Sequence, residues 1–171
     1  TQDYEKCDGV IVRGGKVYSH ANWNNDGLDI DSRNVVVSDC YIDCDDDALC
    51  LKSDTDTPCE NVTVTNCVLK SNCNAIKFGT SSYSGFKNVT ISNCTIDRAS
   101  EDHIRQWYKN YPWIGTKHKT VVAGIALESV DGGIIENVSI SDIAMQGVQT
   151  PIFIRLGDRK RTFSKQMSRI N

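Results

Sequence analysis

The phrase Asn34-Val35-Val36-Val37-Ser38-Asp39-Cys40 returns along the chain as Asn61-Val62-Thr63-Val64-Thr65-Asn66-Cys67, Asn88-Val89-Thr90-Ile91-Ser92-Asn93-Cys94 and Asn137-Val138-Ser139-Ile140-Ser141-Asp142-Ile143. The offsets are 27, 27 and 49 residues. A weaker first copy is Gly9-Val10-Ile11-Val12-Arg13-Gly14-Gly15. A second series runs in step: Ala48-Leu49-Cys50-Leu51, Ala75-Ile76-Lys77-Phe78, Gly124-Ile125-Ala126-Leu127 and Pro151-Ile152-Phe153-Ile154. Its offsets are 27, 49 and 27, so both series carry the same excess of 22 residues, and one insertion lies between Cys94 and Gly124. Gly27-Leu28-Asp29-Ile30 is the upstream member, with a shorter loop.

Each phrase alternates with period two and is too short for a helix. Short strands in a repeat of this length require stacking on their neighbours to bury a core. The expected fold is all-β, a right-handed parallel β-helix of about 27 residues per coil. Residues 1–171 are read as one such domain, its central coils, with an inserted loop at about 98–120. Leucine-rich repeats are shorter, and their consensus is absent.

The totals agree with a folded domain, at 39% hydrophobic and 24% charged residues. A net charge of −3 gives no reason to expect nucleic acid or an anionic membrane as partner. No apolar run approaches the ~18 residues of a membrane span, and no signal peptide is seen. The opening Thr1-Gln2-Asp3-Tyr4 and the basic Arg159-Lys160-Arg161 near the other end read as cuts through a longer array. Further β-helix coils of a parent chain are expected at both ends.

Coils stacked about 4.8 Å apart bring equivalent residues together. Asn34, Asn61, Asn88 and Asn137 are expected to form an amide ladder at one turn. That explains them better than the glycosylation pattern that Asn61, Asn88 and Asn137 also match. Cys40, Cys67 and Cys94 are expected as buried thiols, and Cys44 with Cys59 stays open as a disulfide.

Chemistry concentrates in Asn22-Trp23-Asn24-Asn25-Asp26-Gly27-Leu28-Asp29-Ile30-Asp31 and in Asp45-Asp46-Asp47-Ala48-Leu49-Cys50-Leu51-Lys52-Ser53. Each sets carboxylates just before a strand, one coil apart, as a two-carboxylate glycosidase needs. Carboxylates crowded on adjacent coils cannot all ionise cheaply, so one is driven to keep its proton. The pattern resembles the polygalacturonase family, glycoside hydrolase family 28, whose signatures are N-T-D, G-D-D-C-I-A-I-K-S, G-H-G and R-I-K. Asn24-Asn25-Asp26 resembles the first, with Asn25 for Thr. Asp46-Asp47-Ala48-Leu49-Cys50-Leu51-Lys52-Ser53 resembles the second, with Asp45 at the Gly position. The resemblance runs from about Val10 to Gly157.

The resemblance implies inverting hydrolysis. Asp46 is the expected general acid, with Asp26 and Asp47 handling the water; inversion needs acid and base about 6.5–9.5 Å apart. The candidate substrate-binding residues are Asn24, Asn74, Lys77, Glu128, Arg155, Trp107 and Trp113, and no cofactor or metal is expected. Asn74 falls where the family has its His. Ala126-Leu127-Glu128 falls where it has R-I-K, so the two cations that hold galacturonate there are missing. Outward columns Asp29, Cys50, Lys77, Ala126, Phe153 and Asp31, Lys52, Gly79, Glu128, Arg155 offer Lys77 and Arg155 as replacements. The same columns also read as a charge ladder, Asp31 over Lys52 and Glu128 over Arg155.

The insertion carries Trp107, Trp113, Arg98, Arg105, Lys109, Lys117 and Lys119. Long loops on rigid scaffolds commonly bind, and aromatic faces suit sugar rings. The expected activity is hydrolysis of a pectic polysaccharide, galacturonan or rhamnogalacturonan in type, by a secreted or periplasmic protein. The alternatives are a calcium-dependent lyase on the same fold and a glycan-binding β-helix without catalysis.

Overall fold

The computed structural model describes residues 1–21, 24–101, 121–161 and 166–171. Among them there is no helix. The strands are β1 (Gln2–Arg13), β2 (Lys16–Ser19), β3 (Leu28–Ser38), β4 (Tyr41–Cys44), β5 (Leu49–Ser53), β6 (Cys59–Thr65) and β7 (Val68–Ser71). They continue as β8 (Asn74–Ser82), β9 (Phe86–Arg98), β10 (Val121–Ser129), β11 (Ile134–Met145), β12 (Val148–Leu156) and β13 (Arg169–Ile170). Every pairing is parallel, and partners come from successive coils, which makes the molecule a parallel β-helix.

The repeat sets the register. Val35 lies beside Val62 and Val62 beside Val89, while Val89 meets Val138 across the 49-residue offset. On a second flank Asp29, Cys50, Lys77, Ala126 and Phe153 stand in one row, as the outward column predicts. A third flank stacks β2, β4, β7 and the end of β9. Strands β3 and β9 serve two flanks each by bending between them.

Alternation sends one side chain in two to the axis. Leu28, Ile30, Leu49, Leu51, Ile76 and Phe78 are fully buried there. Each such side chain contributes about 1.5–3 kcal/mol. Phe78 and Phe86 meet edge to face at 5.4 Å.

The predicted ladder is present. Asn61 Nδ2 donates to Asn34 Oδ1 at 2.9 Å, Asn88 to Asn61 at 3.0 Å, and Asn137 to Asn88 at 2.7 Å. The four backbones sit at φ 53 to 56°, left-handed geometry that Asn tolerates better than most residues. A second left-handed corner, unforeseen, falls at Asp39, Asn66, Asn93 and Asp142, with φ 53 to 58°. Each seven-residue phrase is thus pinned at both ends.

Cys40, Cys67 and Cys94 are buried, each thiol facing the carbonyl two residues before it. The open question of a Cys44–Cys59 bridge is answered against it, since both are free. The Cys44 thiol faces Asp46 O on the third flank, and Cys59 faces Ile30 O elsewhere in the coil. No described helix is long and apolar enough to cross a membrane.

Candidate functional site

Each coil closes by a turn from the third flank to the flank of β3, β5, β8, β10 and β12. In sequence, residues 20–27, 45–48, 72–73 and 99–120 join the two flanks. The first three bring Asp26, the Asp46–Asp47 pair and Asn74 to one edge. Backbone bonds lock them together: Gly27 N donates to Asp47 O at 2.8 Å, Leu28 N to Ala48 O at 2.9 Å and Ala48 N to Asn74 O at 2.9 Å. Gly27 is required there, because a Cβ would lie 2.4 Å from Ala48 O and 2.3 Å from Ile42 Cγ2.

Above this edge an open cavity of about 410 Å³ is lined by Asn24, Asp26, Asp29, Asp46, Asp47, Cys50, Lys52, Lys77, Gly79, Thr80 and Ser81, beside Thr1. Five of the expected residues therefore share it: Asn24, Asp26, Asp46, Asp47 and Lys77. Asp26 and Asp47 are mostly buried, and Asp46 is half-buried.

The other expected residues stand elsewhere. Asn74 lies beneath the cavity, where its backbone N and Nδ2 donate to Asp47 Oδ1 at 3.1 and 2.6 Å. It orients a carboxylate and does not line the cavity. Glu128 is buried behind Lys77, whose Nζ reaches Asp47 Oδ2 at 3.2 Å and Glu128 Oε1 at 3.5 Å. Arg155 is exposed on the next coil, in register with Glu128 and away from the cavity. Trp107 and Trp113 lie outside the described residues, as do Arg105, Lys109, Lys117 and Lys119.

The expected charge ladder is replaced by pairs that cross between columns. Lys52 bonds Asp29 Oδ2 at 2.6 Å and Asp26 Oδ2 at 3.2 Å rather than Asp31. Asp31 instead accepts from Asp54 N at 2.8 Å and from the Thr55 hydroxyl. Glu128 turns to Lys77 rather than Arg155. Desolvation explains the choice: half-buried ammoniums gain most where two carboxylates share them.

Asp29 and Lys52 are site members that sequence reasoning left out of the candidate set. Asp29 is the carboxyl that crowding lifts. Burial, with the charge of Asp26 beside it, pushes its pKa up to about 7, and Lys52 only partly opposes this. Its Oδ1 is buried without a hydrogen-bond partner. Burial works against the Lys52 charge, but the Cys50 sulfur and the Asp29 and Asp26 carboxylates raise its pKa overall. Burial likewise works against Lys77, and Asp47, Cys50 and Glu128 outweigh it. The Asp-x-x-Asp spacing of Asp26 and Asp29, followed by Lys52 a coil later, is the signal that carried both.

Two groups bring metal-ligating atoms within 4.8 Å of one another: Asp26, Asp29 and Cys50, and Asp46, Asp47 and Cys73. The two carboxylates of the first already hold the Lys52 ammonium. Both stems of the insertion attach beside the site. Val122 N donates to Cys73 O at 2.8 Å, and Asn72 Nδ2 to Glu101 O at 2.9 Å. Nearby, Ser100 N donates to Asp43 Oδ1, which also meets His20 Nε2 at 3.0 Å.

Fold and site together define a parallel β-helix with an acid-lined cavity at one turn. No family model matches the chain, and no curated protein matches it.

Proposed function

We propose that the protein is a glycoside hydrolase acting on a pectic polysaccharide by inversion. The observation that supports this is the meeting of Asp26, Asp46 and Asp47 around one solvent-open cavity. Asp46, the most exposed of the three, gives its proton to the glycosidic oxygen as the carbon–oxygen bond breaks. Water attacks the anomeric carbon from the opposite face, and its proton passes to Asp26 or Asp47. Asn74 holds Asp47 in place for that step. The resemblance of the two acidic motifs to glycoside hydrolase family 28 points the same way.

A glycan-binding module without turnover is the second reading. It is favoured by Asn74, which stands where the resemblance expects an imidazole and cannot exchange a proton.

Product analysis on a panel of pectic polysaccharides, run beside Asp46→Asn, separates these readings. Hydrolysis predicts saturated reducing ends with inverted configuration and a loss of about 10²–10⁴-fold in Asp46→Asn. Turnover unchanged in that variant, or ultraviolet-absorbing unsaturated ends abolished by a chelator, would sink the hydrolase reading. Binding without turnover would favour the module.

A further inference from the structure

Asp29 has no part in the hydrolysis outlined above, yet it lines the same cavity as Asp26. Its side chain is 9% exposed, with Oδ2 held by Lys52 Nζ at 2.6 Å and Oδ1 buried without a hydrogen-bond partner. Asp26 brings a carboxyl oxygen within 4.8 Å of one of its own. Lys52 reaches both, so one ammonium stands against two acids. Among the described residues, the other groups around Asp29 bring no second cation to the pair. Cys50 beside it on β5 is a buried thiol facing Gly79 O. Asp3 on β1 and Asp31 on β3 are further acids, the latter bound to Asp54 N and Thr55. Across the cavity stand Asp46 and Asp47; Lys77 is held by Asp47 and Glu128, and the Thr1 amino group donates to the Ser19 hydroxyl. Two carboxyls meeting at short range away from water then settle best with one proton between them. Burial and the Asp26 charge push the Asp29 pKa up to about 7, with Lys52 opposing. A proton on Oδ1 turns that unpartnered atom into a donor, and the Asp26 carboxylate is the neighbouring acceptor. A bare anionic oxygen buried without a donor is the costlier state.

We propose that Asp29 is a positioning residue: it shares one proton with Asp26 and so fixes the carboxylate that receives the proton of the attacking water. The inference rests on the hydrolase reading for that last step alone. Asp29 forms no bond to the sugar and keeps its own proton; the water's proton goes to Asp26 and its oxygen to the anomeric carbon. The arrangement also sets an upper limit on working pH. Once the shared proton leaves, two anions contend for Lys52, and Asp26 loses the contact that aims it.

The test follows rates on polygalacturonate and on rhamnogalacturonan against pH for the unsubstituted chain, Asp29→Asn and Asp29→Leu. The unsubstituted chain should lose kcat as pH rises through about 7. Asparagine offers an N–H donor in place of the O–H at every pH, so Asp29→Asn should keep its rate above that value. Leucine keeps the bulk and has no donor, so Asp29→Leu should lose about 10²-fold in kcat with KM little changed. Infrared difference spectra read the proton without any substrate. A protonated-carboxyl band should vanish from the unsubstituted chain across the same pH range and be missing from Asp29→Asn; this measurement decides if Asp29→Leu does not fold. An alkaline fall that survives in Asp29→Asn, as one set by Asp46 would, overturns the inference. Equal rates for the two variants, or spectra with no such band, overturn it too. Turnover alongside any of these results leaves the hydrolase reading intact. The band with no turnover on either polymer would uphold the shared proton and sink that reading.

Discussion

The Lys52 ammonium lies 2.6 Å from Asp29 Oδ2, reaching back one coil to a carboxyl that sequence order places 23 residues earlier. The same nitrogen meets Asp26 at 3.2 Å. One cation thus holds two buried acids side by side. Lys52→Met keeps the stem and removes the charge. Breaking a fully buried pair costs ~3–5 kcal/mol. Lys52 is 32% exposed along its side chain, so a loss of about 2 kcal/mol is expected. Urea unfolding checks it, and a midpoint equal to that of the parent would mean the bridge contributes nothing.

Asp29 makes stability depend on pH. Its folded pKa of about 7 stands above the ordinary 3.8, because burial and Asp26 disfavour its charge while Lys52 favours it. A group shifted upward binds its proton more tightly when folded. Its stabilising contribution is complete below about 3.8 and is lost as pH rises through about 7. Asp29→Asn removes this dependence. The gap between parent and variant unfolding free energies should therefore change steadily across that window, in the direction of a parent that weakens as pH rises. A constant gap would contradict the shift.

Asn88 serves two purposes that separate under mutation. Its backbone sits at φ 55°, and its amide links Asn61 to Asn137. Asn88→Gly keeps the turn and loses two exposed hydrogen bonds, at about 1 kcal/mol together. Asn88→Ala loses the bonds and keeps a Cβ in left-handed geometry without the polar side chain that eases it, so it stands about 1–2 kcal/mol below glycine. Thermal melts should rank parent above Gly above Ala. Alanine equal to glycine would remove the backbone argument.

The thiols are structural and unbridged. All eight cysteines are free, seven of them buried or half-buried. Under non-reducing conditions, denatured protein should titrate as eight thiols with a thiol reagent, and reductant should leave the melting temperature unmoved. Fewer thiols would indicate a bridge.

The scaffold was legible because a stacked coil writes its geometry as a fixed offset. Val35, Val62, Val89 and Val138 announce their neighbours by number alone, and the Asn ladder followed from the same arithmetic. The turn carrying Asp26, Asp46 and Asp47 was legible for that reason too. Partner choice was not. Sequence order placed Lys52 near Asp31 and Arg155 near Glu128, yet Lys52 went to Asp26 and Asp29, and Glu128 went to Lys77. Long side chains reach across columns, and burial rather than register decides where they stop. Asp29 escaped notice because an outward position in a strand suggested solvent, whereas its neighbours cover it.

The paired left-handed corners around each Asn-to-Asp or Asn-to-Asn phrase give one side of every coil a constant arc length. In sequence, the connections opposite run from two residues at 72–73 to the stretch 99–120, so length varies where the acids gather. Such a molecule keeps its ruler and its workbench apart. New loops can be spliced at the acidic corner, altering what is grasped, while the far wall keeps every coil in step.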